Sequence, residues 1–467
     1  MLKKTVAVIL TAITIAFAAE TDKKPITIDL RDKTPYVSEK LEIDTVWAGH
    51  PVGFYLLTDN NRQYAAYYDA NRDMVVAMRD IGQDEWTKFK PQTDYHKPPS
   101  QASPATCKLG WDSHNYITMA IDSEGFLHLS GNMHCNNLTY FRTTKPYDIT
   151  TLTHIKEMTG SDEKRATYPV FLEKPDGTLL FKYRIGQSGN GNEIYNIYDT
   201  KTKQWKRLID KPLSDGNGLR NAYFQNPKLG SDNMYHMSWV WRETYDCSTN
   251  HDLSYAKSPD LVNWLTVDDK KIELPMTLET KGLIVDPIPV KGGIINGSGK
   301  IGFDHDGKAV ITYHKFDKAG NTQAYCARAI DGKWQIKQIT DWDYRWYFEG
   351  GGSIVFEVRL GEVKPLDNKY LQLDYNHSKY GSGTWLLDKD LAICGKVIKG
   401  RSRPKSLEKL ESDFEGMQVK WLGNRGKSNN DTNYWLRWET LPQNRDLERK
   451  GKLPEPSKLT LYGIKFK

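Results

Sequence analysis

The chain has 467 residues, 38% of them hydrophobic and 27% charged, with a formal net charge of +6. That length is ample for a large core, and no stretch beyond the N-terminus is apolar enough to span a bilayer. Mild basicity fits a polyanionic ligand held in a cleft lined by one sign of charge, although solubility charge alone explains it as well. Nothing marks a nucleic-acid or membrane partner, and a monomer is expected.

Lys3 and Lys4 precede an apolar run over residues 5–17, and Ala16-Phe17-Ala18 has the small-x-small form of a cleavage site. The run has the length of a signal peptide and is short for a membrane span. Residues 1–18 therefore read as a signal peptide, with a secreted or periplasmic protein from 19–467. Five cysteines, Cys107, Cys135, Cys247, Cys326 and Cys394, are an odd number for an exported chain. At least one thiol is left over, or some cysteines bind metal.

Further along, one unit recurs: a strand, a turn built on Gly or Asp, and one or two more strands. The first clear copy has Tyr116 to Ile121, the turn Asp122-Ser123-Glu124-Gly125, and Phe126 to Leu129. The next turns at Pro175-Asp176-Gly177, another at Gly230-Ser231-Asp232-Asn233, and a later one at Asp304-His305-Asp306-Gly307. Gly125, Gly177 and Asn233 are 52 and 56 residues apart. That period suits a four-stranded blade that must stack on its neighbours, and it predicts an all-β, seven-bladed β-propeller in a single catalytic domain over 19–467. Ser258 to Trp264 has the look of a degenerate Asp-box turn. Helix signals are scarce, with 406–414 the best short candidate. Residues 26–30 read as an early strand that closes the ring with 459–462.

Aligning the copies on their turns places His114, Tyr168 and Tyr223 near the starts of inner strands, at one mouth. The second strands return to that mouth with His134, Arg184 and Arg242. Each residue alone is ordinary packing; their convergence is what suggests chemistry. Two histidines, two tyrosines and two arginines suit β-elimination on a uronic acid. A guanidinium such as Arg184 pairs with the carboxylate, an imidazole takes the α-proton, and a phenol protonates the leaving oxygen. A second constellation is a candidate metal site: Cys247 and His251 are four apart, with His236, His314 and Cys326 on neighbouring strands. Such ligands favour zinc. A Cys247–Cys326 disulfide, or plain buried thiols, is the alternative.

Asp112-Ser113-His114-Asn115, Gly131-Asn132-Met133-His134-Cys135, Thr167-Tyr168-Pro169-Val170-Phe171 and Tyr183-Arg184 resemble motifs of the BNR-repeat polysaccharide lyases. These are the seven-bladed propeller ulvan lyases of polysaccharide lyase family 25, related to family 24. Trp239 to Thr244 and Asn250 to Tyr255 extend the likeness, which covers roughly residues 45–390 and continues weakly at Trp435 to Thr440. The resemblance implies cleavage of ulvan between sulfated rhamnose and a uronic acid, leaving an unsaturated uronate end. It implies catalytic roles for His114, Tyr168 and Arg184, with His134 as a second catalytic or carboxylate-binding histidine. Tyr223, Arg242 and Asn115 are assigned to substrate binding. It also implies a structural zinc ion, assigned to Cys247, His251, His314 and Cys326, and no organic cofactor. Which of His114 and Tyr168 is base and which is acid stays open. A sialidase-like glycoside hydrolase and a non-catalytic carbohydrate-binding propeller remain as alternatives.

Overall fold

A computed structural model describes residues 25–93 and 106–467; the signal segment expected at 1–18 lies outside the described residues. The described chain is almost entirely strand and loop. Its helical elements are three short 3-10 turns, Ile149–Thr151, Cys247–Thr249 and Lys405–Glu408. The helix expected at 406–414 is thus reduced to one turn at its start, and the turn buries no side chain. Without an apolar face to dock, nothing offsets the cost of nucleating a longer helix.

The described strands form six sheets. Five hold one antiparallel meander each. The twelve-stranded sheet holds two, joined at the single parallel pair Gly191–Asn221. Burial reveals the stacking. Tyr235–Arg242 is buried at every position and Ala309–Phe316 at its first six, while the outer strand Lys333–Gln338 is exposed or half-buried throughout. A strand covered on both faces reads as a continuous apolar run, and only the outermost strand keeps the polar character of a solvated surface. The turns singled out in the sequence close these hairpins. Gly125 has φ +87° and Gly177 φ +81°, a conformation that costs glycine nothing, and Asn233 tolerates φ +60°. At the Asp-box-like turn, Asp260 accepts from the Val262 and Asn263 amides, and Trp264 is buried.

The pairing of the chain ends departs from expectation. Ile26–Leu30 runs parallel to Ile393–Lys399. It is the next strand, Pro35–Val46, that pairs antiparallel with the C-terminal strand Ser457–Phe466. The physical reason is burial: Ile26–Leu30 has no buried residue, whereas the C-terminal strand has six in succession, Leu459 to Ile464. The longer strand with Ile43 and Val46 turned inward is the better partner for it. Leu461 sits between Leu41 and Leu436 on its two neighbours and is completely buried.

Leu461→Ala should therefore cost about 2–5 kcal/mol, through lost burial and the cavity left behind. Thermal unfolding should show a clear drop in Tm, whereas Leu447→Ala, on a side chain 63% exposed, should leave Tm nearly unchanged.

Candidate active site

A cavity of about 1050 Å³ is walled by His114, His134, Tyr168, Arg242, Glu243 and Arg359, among others. Local structure explains how the first three arrive there. Asp112 accepts from the His114 amide at 2.8 Å, a tight turn that sets His114 ahead of strand Ile117–Ile121. The short strand His134–Asn136 leaves its own meander to pair with Ala166 and Thr167, and Thr167 Oγ1 accepts from the Cys135 amide at 2.9 Å. This stitch places His134 beside the next residue, Tyr168. Tyr168 occupies a bulge between Thr167 and Val170 with φ +60°, a left-handed conformation that costs an aromatic residue of order 1–3 kcal/mol.

The six residues that the repeat alignment pointed to one mouth lie together. The His114 and His134 rings stack at 4.2 Å, and His114 to Tyr168 is 5.7 Å. Tyr168 to Tyr223 is 6.1 Å. Arg184 lies 5.0 Å from the Tyr168 ring and Arg242 5.4 Å from that of Tyr223. They are not equally placed. Arg184 is 1% exposed and sits behind the two phenols, donating to Tyr223 Oη at 3.4 Å and Thr167 Oγ1 at 3.2 Å. Tyr223 is also buried, with its hydroxyl on Ser188 at 2.7 Å. Asn115 is fully buried, and its carbonyl accepts from Tyr68 at 2.6 Å. Arg184, Tyr223 and Asn115 thus back the cavity, whereas Arg242 lines it.

Two carboxylates with no role expected from the sequence, Asp112 and Asp446, complete the cluster. Asp112 bridges the imidazoles, with Oδ1 2.7 Å from His114 Nδ1 and Oδ2 hydrogen-bonded to His134 Nδ1. Asp446 Oδ2 lies 3.2 Å from the same His114 nitrogen. The spacing Asp-x-His is a readable turn signal; nothing local could connect residue 446 to residue 114. The donor atoms of Asp112, His114 and His134 lie within 4.8 Å of one another, close enough in principle to share a cation. Nδ1 of each imidazole faces an Asp112 oxygen across a hydrogen bond, so the trio is a hydrogen-bonded unit.

The charges divide within this cluster. Burial opposes a charge on His114, but Tyr168 when ionised and the carboxylates of Asp112 and Asp446 favour it, and the imidazole is raised well above its ordinary value. Burial lowers His134, and Asp112 only partly compensates. Burial raises the Tyr168 phenol, so it stays protonated at neutral pH. Burial would raise Tyr223 too, but Arg184 and Arg242 outweigh it and the phenol is lowered. The Tyr168 hydroxyl makes no hydrogen bond among the described residues, and Arg184, Arg242 and Arg359 form no ion pair there. Glu243, the acidic side chain in the cavity wall, is taken up by Arg220 at 2.8 Å, so Arg242 and Arg359 face the cavity without an ion-pair partner among the described residues.

The expected zinc set does not assemble. No three of Cys247, His251, His314 and Cys326 converge among the described residues. Strand register is one reason: Ala324, not Cys326, lies opposite His314. Cys326 is packed among Val310, Val363 and Leu371, and burial pushes its thiol up to about 12, far from a ligating thiolate. Cys247 packs on Ile295 and Trp346, and burial raises its thiol as well. His251 Nδ1 is hydrogen-bonded to Asp252 at 2.9 Å; Glu243 is 2.9 Å from its Nε2 but outside hydrogen-bonding geometry. His314 Nδ1 donates to the Gly293 carbonyl. His236 is likewise engaged, by Tyr255 and Asp232. Cys247 and Cys326 are free thiols, which also removes the Cys247–Cys326 disulfide.

The divided histidine charges should be visible in a pH titration followed by imidazole NMR. His114 should keep both ring protons through neutrality, while His134 should titrate below 6.5. Since the folded value of His114 is raised, its charge contributes stability below about pH 6.5 that is lost as pH rises through the folded value. Two histidines titrating together near 6.5 would show that the carboxylates do not distinguish them.

Known proteins agree with this architecture. The curated "Ulvan lyase, long isoform" of Glaciecola sp. (strain KUL10) is 43% identical over 144 residues, which cover 27% of this chain and 14% of that protein. The "Ulvan lyase, short isoform" of Alteromonas sp. (strain LOR) is 30% identical over 132 residues, 26% of this chain and 25% of that protein. The matches thus span a quarter or less of each curated relative. Among solved structures, "polysaccharide lyase Uly1" superposes with a TM-score of 0.58 at 13% identity, over 92% of this chain and 99% of that one. A PL25 ulvan lyase bound to -[GlcA(1-4)Rha3S]- superposes with a TM-score of 0.56 at 15% identity, over 91% and 96%. These likenesses establish a shared fold. The family model described as "BNR repeat-containing family member" matches residues 62–342, more than half of the sequence, and the chain accordingly belongs to the BNR repeat-containing family.

Proposed function

We propose that the protein is a polysaccharide lyase that cleaves ulvan by β-elimination between a sulfated rhamnose and a uronic acid. The observation that carries this reading is the content of one cavity wall: two stacked imidazoles on a shared carboxylate, a phenol with no hydrogen bond among the described residues, and arginines that have no carboxylate partner. The identity to two ulvan lyases, over part of their length, supports it. The substrate class is a sulfated, uronate-containing polyanion, matching the unbalanced positive charge.

The chemistry needs three things. The uronate carboxylate must be neutralised so that the neighbouring C–H becomes acidic; His114 and Arg242 face the cavity for this, with Arg184 adding its charge from behind the phenols. A base must take the C5 proton. His134 donates its Nδ1 proton to Asp112, which leaves Nε2 free, so the neutral member of the imidazole pair suits this step. As the C5–H electrons form the C4=C5 double bond, the C4–O bond breaks and the departing oxygen needs a proton. The Tyr168 hydroxyl, protonated and without another partner, is placed to give it. A structural zinc ion, implied by the family resemblance, has no converging donor set in its expected residues, and no step depends on one. Hydrolysis would need two carboxyl groups free to act as acid and nucleophile or base. Asp112 and Asp446 are instead committed to His114 and His134.

Seven antiparallel meanders, with the early strand Pro35–Val46 and the C-terminal strand Ser457–Phe466 in one sheet, support closure into a seven-bladed propeller with this cavity at one mouth. A single domain over 19–467, exported after loss of 1–18 and monomeric, completes the reading.

The test is ultraviolet absorbance of the unsaturated uronate product on ulvan, with glucuronan and pectic controls. Tyr168→Phe should lower kcat by about a hundredfold or more without loss of folding. Arg184→Ala should lose most activity and Arg184→Lys recover little, because one ammonium cannot span Tyr223 Oη and Thr167 Oγ1 as the planar guanidinium does. Reducing ends released without the chromophore would favour hydrolysis, and binding without cleavage a lectin.

A further inference from the structure

We infer that Asp446 is a positioning residue of this site, the second carboxylate that holds His114 in its charged form and fixes its ring. The inference rests on the lyase reading for its kinetic consequence, but not for its physical basis. Asp446 lies in the loop before the C-terminal strand, 332 residues from His114, and its side chain is only 10% exposed. One carboxylate oxygen lies 3.2 Å from His114 Nδ1. The other accepts from the Ser113 amide at 3.0 Å and the Ser113 hydroxyl at 2.9 Å. The Ser353 amide donates to Asp446 from a third segment at 2.8 Å. A buried carboxylate with three neutral donors and one imidazole gains most from that imidazole being charged, and Asp446 is itself held below the usual carboxylate range despite its burial.

The backbone is built to deliver this group. Arg445 and Asp446 both adopt left-handed conformations, φ +61° and +59°, which turn the loop inward. The Arg445 guanidinium is turned away, donating to the Glu349 carbonyl at 2.7 Å. The loop lies on bare backbone at Gly352, where a Cβ would come within 2.2 Å of the Arg445 carbonyl oxygen. Strain of this kind persists only where the surroundings impose it.

The groups facing His114 are Asp112 from its own turn, Asp446 from the C-terminal loop, His134 from the stitching strand and Tyr168 from the bulge. Asp112 is shared with His134. Asp446 is not, so it is the carboxylate that distinguishes the two histidines. His114 charged and His134 neutral is the division that the proposed elimination uses.

The test is Asp446→Asn, which keeps an acceptor for Ser113 and removes the charge. Imidazole NMR should show His114 titrating at least about one pH unit lower than in the wild type. The alkaline limb of kcat/KM on ulvan should move down by a similar amount. Ser113→Ala removes one bond to Asp446 without changing charge and should leave the His114 titration in place. An unchanged His114 titration in folded Asp446→Asn overturns the inference. So does a Ser113→Ala shift as large as that of Asp446→Asn, which would make Asp446 a loop tether only. If the wild type forms no unsaturated product, the lyase reading fails, and the His114 titration still decides the role of Asp446.

Discussion

The antiparallel pairing of Pro35–Val46 with Ser457–Phe466 is the constraint on which the site depends. It joins segments more than 400 residues apart, yet the entropy of closing so long a loop grows only logarithmically with length, and a strand with six consecutive buried residues readily offsets it. Once the ends are joined, the chain preceding the last strand must run beside the beginning of the first meanders. Leu441 donates to the Ala48 carbonyl, Arg449 reaches the Gly49 carbonyl, and between them Asp446 meets Ser113 and His114. An apolar seam far from the cavity thus places one of its charges.

Around that cavity the backbone is bent where regular strands would carry the side chains elsewhere. Asn132, Cys135, Tyr168 and Asp446 all have positive φ. Each is pinned by its surroundings: Asn132 donates to the Thr106 carbonyl, Cys135 to Thr167, and the Tyr168 bulge lies between paired stretches of its hairpin. The stacked sheets supply the rigidity, and the bulges turn it into side-chain direction.

The electrostatics follow from which groups are shared. Asp112 lies between two histidines and cannot charge both at little cost, because the imidazoles stack at 4.2 Å and like charges repel. A buried Arg184 held by hydroxyls instead of a carboxylate leaves its charge uncompensated within the fold. The same field, from Arg184 and Arg242, lowers the Tyr223 phenol against its burial.

By itself the sequence determined what local physics encodes. Turns at Gly125, Gly177 and Asn233, runs of β-branched and aromatic residues, and the spacing of His114, Tyr168 and Tyr223 from those turns follow from strand periodicity and turn geometry over a few residues. They were sufficient to identify an all-β repeat and to bring six side chains to one mouth. Tertiary structure alone decided the rest. Which early strand meets the C-terminus depended on burial by neighbouring sheets. The proposed zinc residues failed to converge because strand register, set by pairing across the hairpin, put Ala324 where a ligand was needed. Asp446 reached His114 only because Pro35–Val46 pairs with the C-terminal strand, and a contact across 332 residues leaves no trace in any local pattern.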